Sequence, residues 1–150
     1  MLKIRNTRSE DIEGIAQMEK RIFPDPWSAR SLTDTLEQKQ TLLLSAFDGS
    51  RLIGYVILYY VLEDGEIARI AVEEEYRRRR VASRLLAELE MLCFGNGISR
   101  LMLDVRESNA AARSFYENHG FERDGLRKNY YTNPAEHAVL MSCNIGPNRK

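Results

Sequence analysis

The chain has 150 residues, 43% of them apolar and 29% charged, and its 22 basic and 22 acidic side chains leave no formal net charge. That length and composition suit one domain around one core, and the balanced charge excludes the basic footprint of a nucleic-acid binder. The longest apolar run, Leu52 to Leu62, is too short and too polar to span a bilayer, and Met1-Leu2-Lys3-Ile4-Arg5 lacks the apolar stretch of a secretion signal, so a cytoplasmic, soluble monomer with no membrane partner is expected.

Leu2 to Arg5 reads as a first strand. Thr7-Arg8-Ser9-Glu10 places a hydroxyl and a carboxylate three apart, the form of a capping box, and predicts a helix with Ile12, Ile15, Ala16 and Met18 on its apolar face. The prolines of Phe23-Pro24-Asp25-Pro26 end it in a stiff, extended turn. Ser28 is placed to cap a second helix, with Trp27 positioned to staple on to Leu32. Thr41 to Phe47 and Arg51 to Leu62 form a hairpin about Asp48-Gly49, and Asp64-Gly65 predicts a second tight turn into a third strand, Glu66 to Val72.

Val81, Ala82, Leu85, Leu86, Leu89 and Leu92 then recur at helical spacing, up to a left-handed cap at Gly95-Asn96-Gly97. Leu101, Leu103 and Val105 alternate with Met102, Asp104 and Arg106, a strand that carries Asp104 on the face opposite its apolar residues. Strand, helix, strand here implies a parallel crossover. Asn109 to His119 is a further helix, capped near Ser108 or Asn109 and stopped at Gly120. Phe121 to Asn129 and Ala135 to Cys143 read as a last strand pair joined by the loop Tyr130-Tyr131-Thr132-Asn133-Pro134. The expected fold is α/β (α+β): one domain over residues 1–145, with a mixed, mostly antiparallel sheet of about seven strands, about four flanking helices and a central parallel pair. Residues 146–150 read as a loose tail.

Cys93 and Cys143 are the only cysteines, and His119 and His137 the only histidines. Neither pair has metal-ligand spacing and neither histidine neighbours a nucleophile motif, so no disulfide framework, metal site or hydrolase triad is expected. Glu73-Glu74-Glu75-Tyr76-Arg77-Arg78-Arg79-Arg80-Val81-Ala82 lies between an apolar strand and a helix start. Free amides and the positive end of the helix dipole converge at such a turn, and arginines there suit a diphosphate. On composition alone a charge run of this kind is more readily read as a solvated loop.

Context distinguishes the two readings. The chain resembles the GNAT acetyltransferases, whose acetyl-CoA loop has the pattern Arg/Gln-x-x-Gly-x-Gly/Ala; it maps to Arg77-x-x-Arg80-x-Ala82, with arginine where the family expects glycine. Ile70-Ala71-Val72 upstream, Tyr76 and Ser83-Arg84-Leu85-Leu86 around the loop, Ser108-Asn109-Ala110-Ala111-Ala112 and Phe115-Tyr116-Glu117-Asn118-His119-Gly120-Phe121 fit the same family. Pro26-Trp27-Ser28, Leu103-Asp104-Val105-Arg106-Glu107-Ser108-Asn109 and Arg127-Lys128-Asn129-Tyr130-Tyr131 are similar to the ribosomal-protein-alanine N-acetyltransferases (RimI-type) within it.

The resemblance implies acetyl-CoA as donor, a protein N-terminus as acceptor, and roles for particular residues. Arg77, Arg78, Arg79, Arg80, Val81, Ala82 and Ser83 would hold the pyrophosphate, chiefly through backbone. Ile70, Ala71 and Val72 would pair with the pantetheine amides, and Asn109 would lie near that arm or serve only as a helix cap. Tyr116 would protonate the departing sulfur, or be a core aromatic. Asp104 stands where the RimI-type enzymes carry a glutamate base, and is otherwise an ion-pair partner of Arg106 or Arg127. Trp27, Tyr130 and Tyr131 would bracket the acceptor peptide. Arg80 is expected to lose the positive φ that glycine allows and to weaken, without abolishing, acetyl-CoA binding. Acetylation of a lysine or small amine, or a GNAT-like module without turnover because of Arg80 and Asp104, are the competing readings; nucleic-acid binding by the arginines is disfavoured by Glu73 to Glu75.

Overall fold

The computed structural model describes residues 1–145, so the tail expected at 146–150 lies outside the described residues. In chain order the elements are β1 (Leu2–Asn6), a 3-10 turn (Ser9–Asp11), α1 (Ile12–Ile22), α2 (Ala29–Glu37), β2 (Thr41–Asp48), β3 (Arg51–Val61), β4 (Asp64–Val72), a 3-10 turn (Glu74–Tyr76), α3 (Val81–Gly95), β5 (Arg100–Arg106), α4 (Ala110–Asn118), β6 (Glu122–Thr132) and β7 (Ala135–Asn144). They build one seven-stranded sheet in the order β1-β2-β3-β4-β5-β7-β6, in which β4 and β5 are the parallel pair. This is the mixed α/β sheet that the periodicity predicts. No helix among the described residues is long and apolar enough to cross a membrane.

Alternation along the strands supplies an apolar layer to each face. One layer packs Leu85, Leu86 and Leu89 of α3 and Tyr116 of α4 on Val56, Ile67, Leu101 and Leu103. The other packs Ile12, Ile15 and Met18 of α1 and Leu32 of α2 on Leu43, Tyr55 and Ile57. Each fully buried aliphatic side chain of this kind contributes about 1.5–3 kcal/mol, more than a surface ion pair.

The functionally decisive irregularity lies in the centre of the sheet. β4 and β5 pair only at Asp64↔Arg100, Gly65↔Leu101 and Glu66↔Met102, and then part. The cause is in β4: Ile57 of β3 faces Arg69 while Leu58 faces Ile67, so Ala68 is an extra residue. Such a bulge bends its strand. Gly65 lets the two strands approach at the paired end, since a Cβ there would meet Leu58 Cδ1 at 3.1 Å and Ile98 Cγ2 at 3.2 Å.

Three local expectations are corrected. The β3–β4 turn is Leu62-Glu63, with Leu62 at φ 54°, and Asp64 and Gly65 already lie in β4; the close packing of Gly65 claims it for the strand. Before α1 the acidic cap is Asp11, not Glu10: Asp11 Oδ2 accepts from the Arg8 amide at 2.7 Å and its carboxylate is also held by Arg5, while the Thr7 hydroxyl turns away to Ser45 at 2.7 Å. Tyr130, Tyr131 and Thr132 belong to β6 rather than to a loop, because an irregularity between Arg127 and Tyr131 allows the strand to resume. Asn129, at φ 54°, donates its amide to His137 Nδ1 at 2.9 Å inside that irregularity. The Ser28 cap is found as expected, accepting from the Ser31 amide at 3.1 Å.

Candidate active site

Where β4 and β5 part, a cleft of about 600 Å³ opens through the sheet, lined by Glu66 to Ile70 of β4 and Leu103 to Arg106 of β5. The α1–α2 connection contributes Phe23, Pro24, Asp25 and Trp27, β6 contributes Tyr130 and Tyr131, α4 contributes Ala112 and Tyr116 with Asn109 before it, and Arg77 stands at one end. Of the residues singled out in the sequence, the cleft therefore gathers Ile70, Arg77, Asp104, Asn109, Tyr116, Trp27, Tyr130 and Tyr131.

One side of the cleft is open backbone. Ile70, Ala71 and Val72 pair with β3 through one edge, and β5 has left the other. Ala71 and Val72 are themselves buried. Beyond β4, Arg77 Nε donates to the Val72 carbonyl at 3.1 Å, which folds the arginine segment back on the strand. Arg78 lies at φ 66°, and Arg80, the N-cap residue of α3, at φ 63° and ψ 19°. The expectation that arginine forfeits the glycine conformation at 80 is thus overturned: the chain takes the left-handed turn anyway. That costs about 1–2 kcal/mol for an L-residue, and the buried Val81 and Leu85 that follow fix the helix start firmly enough to impose it. Among the described residues no backbone carbonyl accepts from the amides of Arg78, Arg79, Arg80, Val81, Ala82 or Ser83, so that turn presents unpaired donors at the positive end of α3.

Two side chains are already occupied. Asn109 accepts from the Ala112 amide at 3.1 Å as the cap of α4. The Ser83 hydroxyl lies 3.0 Å from His119 Nε2, and His119 Nδ1 lies 2.7 Å from the Phe115 carbonyl. A carbonyl only accepts, so Nδ1 carries hydrogen and donates to Phe115, which turns Nε2 toward the Ser83 hydroxyl. Sequence spacing gave no sign of this Ser83–His119 contact, which ties α3 to the end of α4.

Tyr116 is buried, its ring edge-on to Phe115 and Phe121 at 5.2 Å each, and it reaches the cleft. Burial, with a smaller contribution from Tyr131, raises its pKa above the ordinary phenol value and keeps its proton in place. Asp104 is half-buried, on the face of the sheet that α1 and α2 cover. Arg106 engages Glu136 at 3.3 Å and the carbonyls of Pro134 and Asn133, and stacks on Tyr131 at 4.3 Å. Arg127 stacks on Tyr130 at 4.9 Å. Among the described residues neither arginine forms a salt bridge with Asp104. Burial, then the charge of Asp104, pushes the Tyr131 phenol up to about 12, against the opposing Arg106.

Two features escaped the sequence reading. Glu19 of α1 is fully buried and accepts from the Trp27 amide at 2.9 Å, from Arg69 Nη2 at 3.1 Å and from the Tyr55 hydroxyl. Its position continues the spacing of Ile12, Ile15 and Ala16, and that was the available signal. Glu66 is the second: the cleft wall strips part of its hydration and Asp104 repels its charge, so its pKa is raised, with Arg127 opposing.

Residues 12–121 match the model of the acetyltransferase (GNAT) family. The chain belongs to the GNAT acetyltransferase family. A Haemophilus influenzae ribosomal protein bS18-alanine N-acetyltransferase is 33% identical over 136 residues, 89% of this chain and 92% of that protein. A Bacillus subtilis protein assigned the same activity provisionally is 34% identical over 143 residues, 95% of each chain. The crystal structure of the Escherichia coli ribosomal-protein-S18-alanine N-acetyltransferase superposes with a TM-score of 0.89 at 29% identity, covering 100% of this chain and 99% of that one.

As a GNAT acetyltransferase the protein uses acetyl-CoA, which brings the acetyl group as an activated thioester. The site suits this donor: the open edge of β4 offers extended backbone for an amide-bearing arm, and the free amides after Arg77 offer donors for its phosphates.

Proposed function

We propose that this acetyltransferase transfers acetyl to the α-amino group of a protein N-terminus, with the N-terminal alanine of a small-subunit ribosomal protein as its acceptor. The observation that carries this reading is likeness along nearly the whole chain to relatives named for that activity, at 33% and 34% identity. The reading places the enzyme in the cytoplasm as a monomer, with neither nucleic acid nor membrane as partner.

The amides and side chains from Arg77 to Ser83 hold the phosphates in this account, and the backbone of Ile70 to Val72 pairs with the pantetheine amides alongside Asn109. Trp27 and the Tyr130–Tyr131 pair bracket an extended peptide across the opposite mouth. An amine attacks only when neutral, so Asp104, which no arginine claims among the described residues, takes a proton from it. Tyr116, whose burial preserves its hydroxyl proton, gives that proton to the departing sulfur. Retention of the left-handed turn at Arg80 removes one reason for reading the chain as a module without turnover. Fragmentation mass spectrometry of a peptide beginning with Ala, incubated with enzyme and acetyl-CoA, tests the assignment: one acetyl on the α-nitrogen supports it, and acetyl on a lysine side chain refutes it.

A further inference from the structure

We propose that Glu136 is a positioning residue, which joins the acceptor wall at Tyr131 to the start of α4 and so sets where the bound peptide lies relative to Tyr116. This assignment rests on the α-amine reading, in which Tyr131 flanks the peptide and Tyr116 protonates the sulfur, and adds the residue that holds the two in register.

The sheet brings the parts together. Tyr131 of β6 lies opposite Glu136 of β7, and Arg106 of β5 lies opposite Ala138, two residues further on. Side chains two apart on a strand share a face, so Tyr131, Glu136 and Arg106 project together on the side that carries Asp104. Arg106 fills the space between them. Its Nη1 donates to Glu136 Oε1 at 3.3 Å and to the Pro134 carbonyl at 2.9 Å, and its Nη2 donates to the Asn133 carbonyl at 3.2 Å. The guanidinium carbon sits 4.3 Å from the centre of the Tyr131 ring. A planar fork bridges several acceptors while its face stacks on a ring, which a compact ammonium does not.

The second oxygen of Glu136 points elsewhere. Oε2 accepts from the Ser108 amide at 2.5 Å, in the turn between β5 and α4. Asn109, the next residue, donates its amide to the Arg106 carbonyl at 2.9 Å and caps α4 through its side chain. α4 has only nine residues, Ala110–Asn118, and a helix that short moves as one rod. A shift at its first turn therefore reaches the Tyr116 hydroxyl.

The fold stands without this junction. β5 and β7 pair from Arg100 to Arg106, and the buried Leu101, Leu103, Val139 and Met141 hold the two strands in the core. Glu136 is not among the residues that line the cleft, so it acts through Arg106 and Ser108 and not on the substrate. Only 17% of its side chain and 21% of that of Arg106 is exposed, which shelters the pair more than the solvated ion pairs that contribute little. Hydrogen bonds from Ser108, with a further one from Arg106, outweigh burial and hold the Glu136 carboxyl below its ordinary value. Both oxygens thus remain acceptors at neutral pH.

Substitution separates the two oxygens. Glu136→Gln keeps one acceptor; turned to the Ser108 amide, it leaves an NH2 group facing Arg106, so the wall is released while α4 stays held. Glu136→Ala releases both. The experiment measures KM and kcat for a peptide with a free N-terminal Ala, at saturating acetyl-CoA and well below each melting temperature. The variants are Glu136→Gln, Glu136→Ala, Tyr131→Ala and the double variant of Glu136→Gln with Tyr131→Ala. Glu136→Gln is expected to raise KM about three- to tenfold, because a freed Tyr131 must be ordered on binding, with kcat within about twofold of wild type. Glu136→Ala should add a fall in kcat of about tenfold as Tyr116 loses its register. Without Tyr131, Glu136→Gln should change KM by less than about twofold, since the group it positions is gone. A KM unchanged in Glu136→Gln, a KM raised by the same factor with and without Tyr131, or a kcat that Glu136→Ala leaves at the Glu136→Gln level overturns the proposal and leaves the α-amine reading intact. Wild-type enzyme that acetylates lysine but no free N-terminus overturns both.

Discussion

Arg69 of β4 reaches across to the fully buried Glu19 of α1, Nη2 to Oε1 at 3.1 Å. The guanidinium carbon sits 3.9 Å over the Phe23 ring and 5.5 Å from that of Trp27, and Nη2 also donates to the Asp25 carbonyl at 2.7 Å. The whole Phe23–Trp27 connection is therefore fastened to a charge pair buried beneath it. The two prolines stiffen this connection, but the pair decides where it lies.

Breaking a buried pair leaves one charge uncompensated. Glu19→Ala should destabilise the fold by about 3–5 kcal/mol, read by denaturant unfolding. The gentler Glu19→Gln keeps an acceptor for the Trp27 amide; its expected signature is a raised KM for the peptide acceptor with little change in acetyl-CoA affinity.

Arg80 supplies a prediction with an unusual sign. At a left-handed position glycine avoids a cost of about 1–2 kcal/mol that any residue with a Cβ carries. Arg80→Gly should thus be more stable than Arg80→Ala by about 1 kcal/mol in thermal or denaturant unfolding. Calorimetry of the two variants with acetyl-CoA separates the backbone from the guanidinium: loss of affinity common to both belongs to the lost charge.

Tyr116→Phe keeps the ring that packs between Phe115 and Phe121 and removes only the hydroxyl. Turnover should fall by about 10²-fold or more, with melting temperature and acetyl-CoA affinity close to wild type. Unchanged turnover would mean that the ring's packing role is the whole of its contribution.

Asp11 yields a pH dependence. Burial opposes its ionisation, but hydrogen bonds from Arg5 and the Arg8 amide outweigh that and hold its carboxyl below the ordinary value. A carboxylate with a depressed folded-state pKa contributes stability that is complete above its unfolded value near ~4 and is lost as pH falls through the lower folded value. Asp11→Asn should cost about 1–3 kcal/mol at neutral pH, and the difference from wild type should vanish in stronger acid. Urea midpoints of both proteins against pH are the measurement.

Strand and helix order was legible because apolar residues recur at helical spacing in α1 and α3, turn residues mark the strand ends, and β5 alternates cleanly, so that Leu101, Leu103 and Val105 placed Asp104 on the correct face. What misled was chemistry read without tertiary context. Asp64-Gly65 looks like a turn until Leu58 and Ile98 crowd the glycine from both sides. Tyr130 and Tyr131 look like a polar loop until β6 resumes beyond its irregularity opposite His137. Glu66 sits in an ordinary-looking strand; only the partial pairing of β4 with β5 exposes it to the cleft beside Asp104. Arg80 shows that a missing glycine in a motif does not imply a missing conformation, since packing downstream can impose it.

The most direct test of the central claim is CoA release from acetyl-CoA with three peptides: one beginning with free Ala, the same peptide blocked at its N-terminus, and one with internal lysine as its sole amine. Turnover with the first and none with the other two is the predicted result. Equal turnover with the blocked or lysine-only peptides would contradict an enzyme that acts on α-amines.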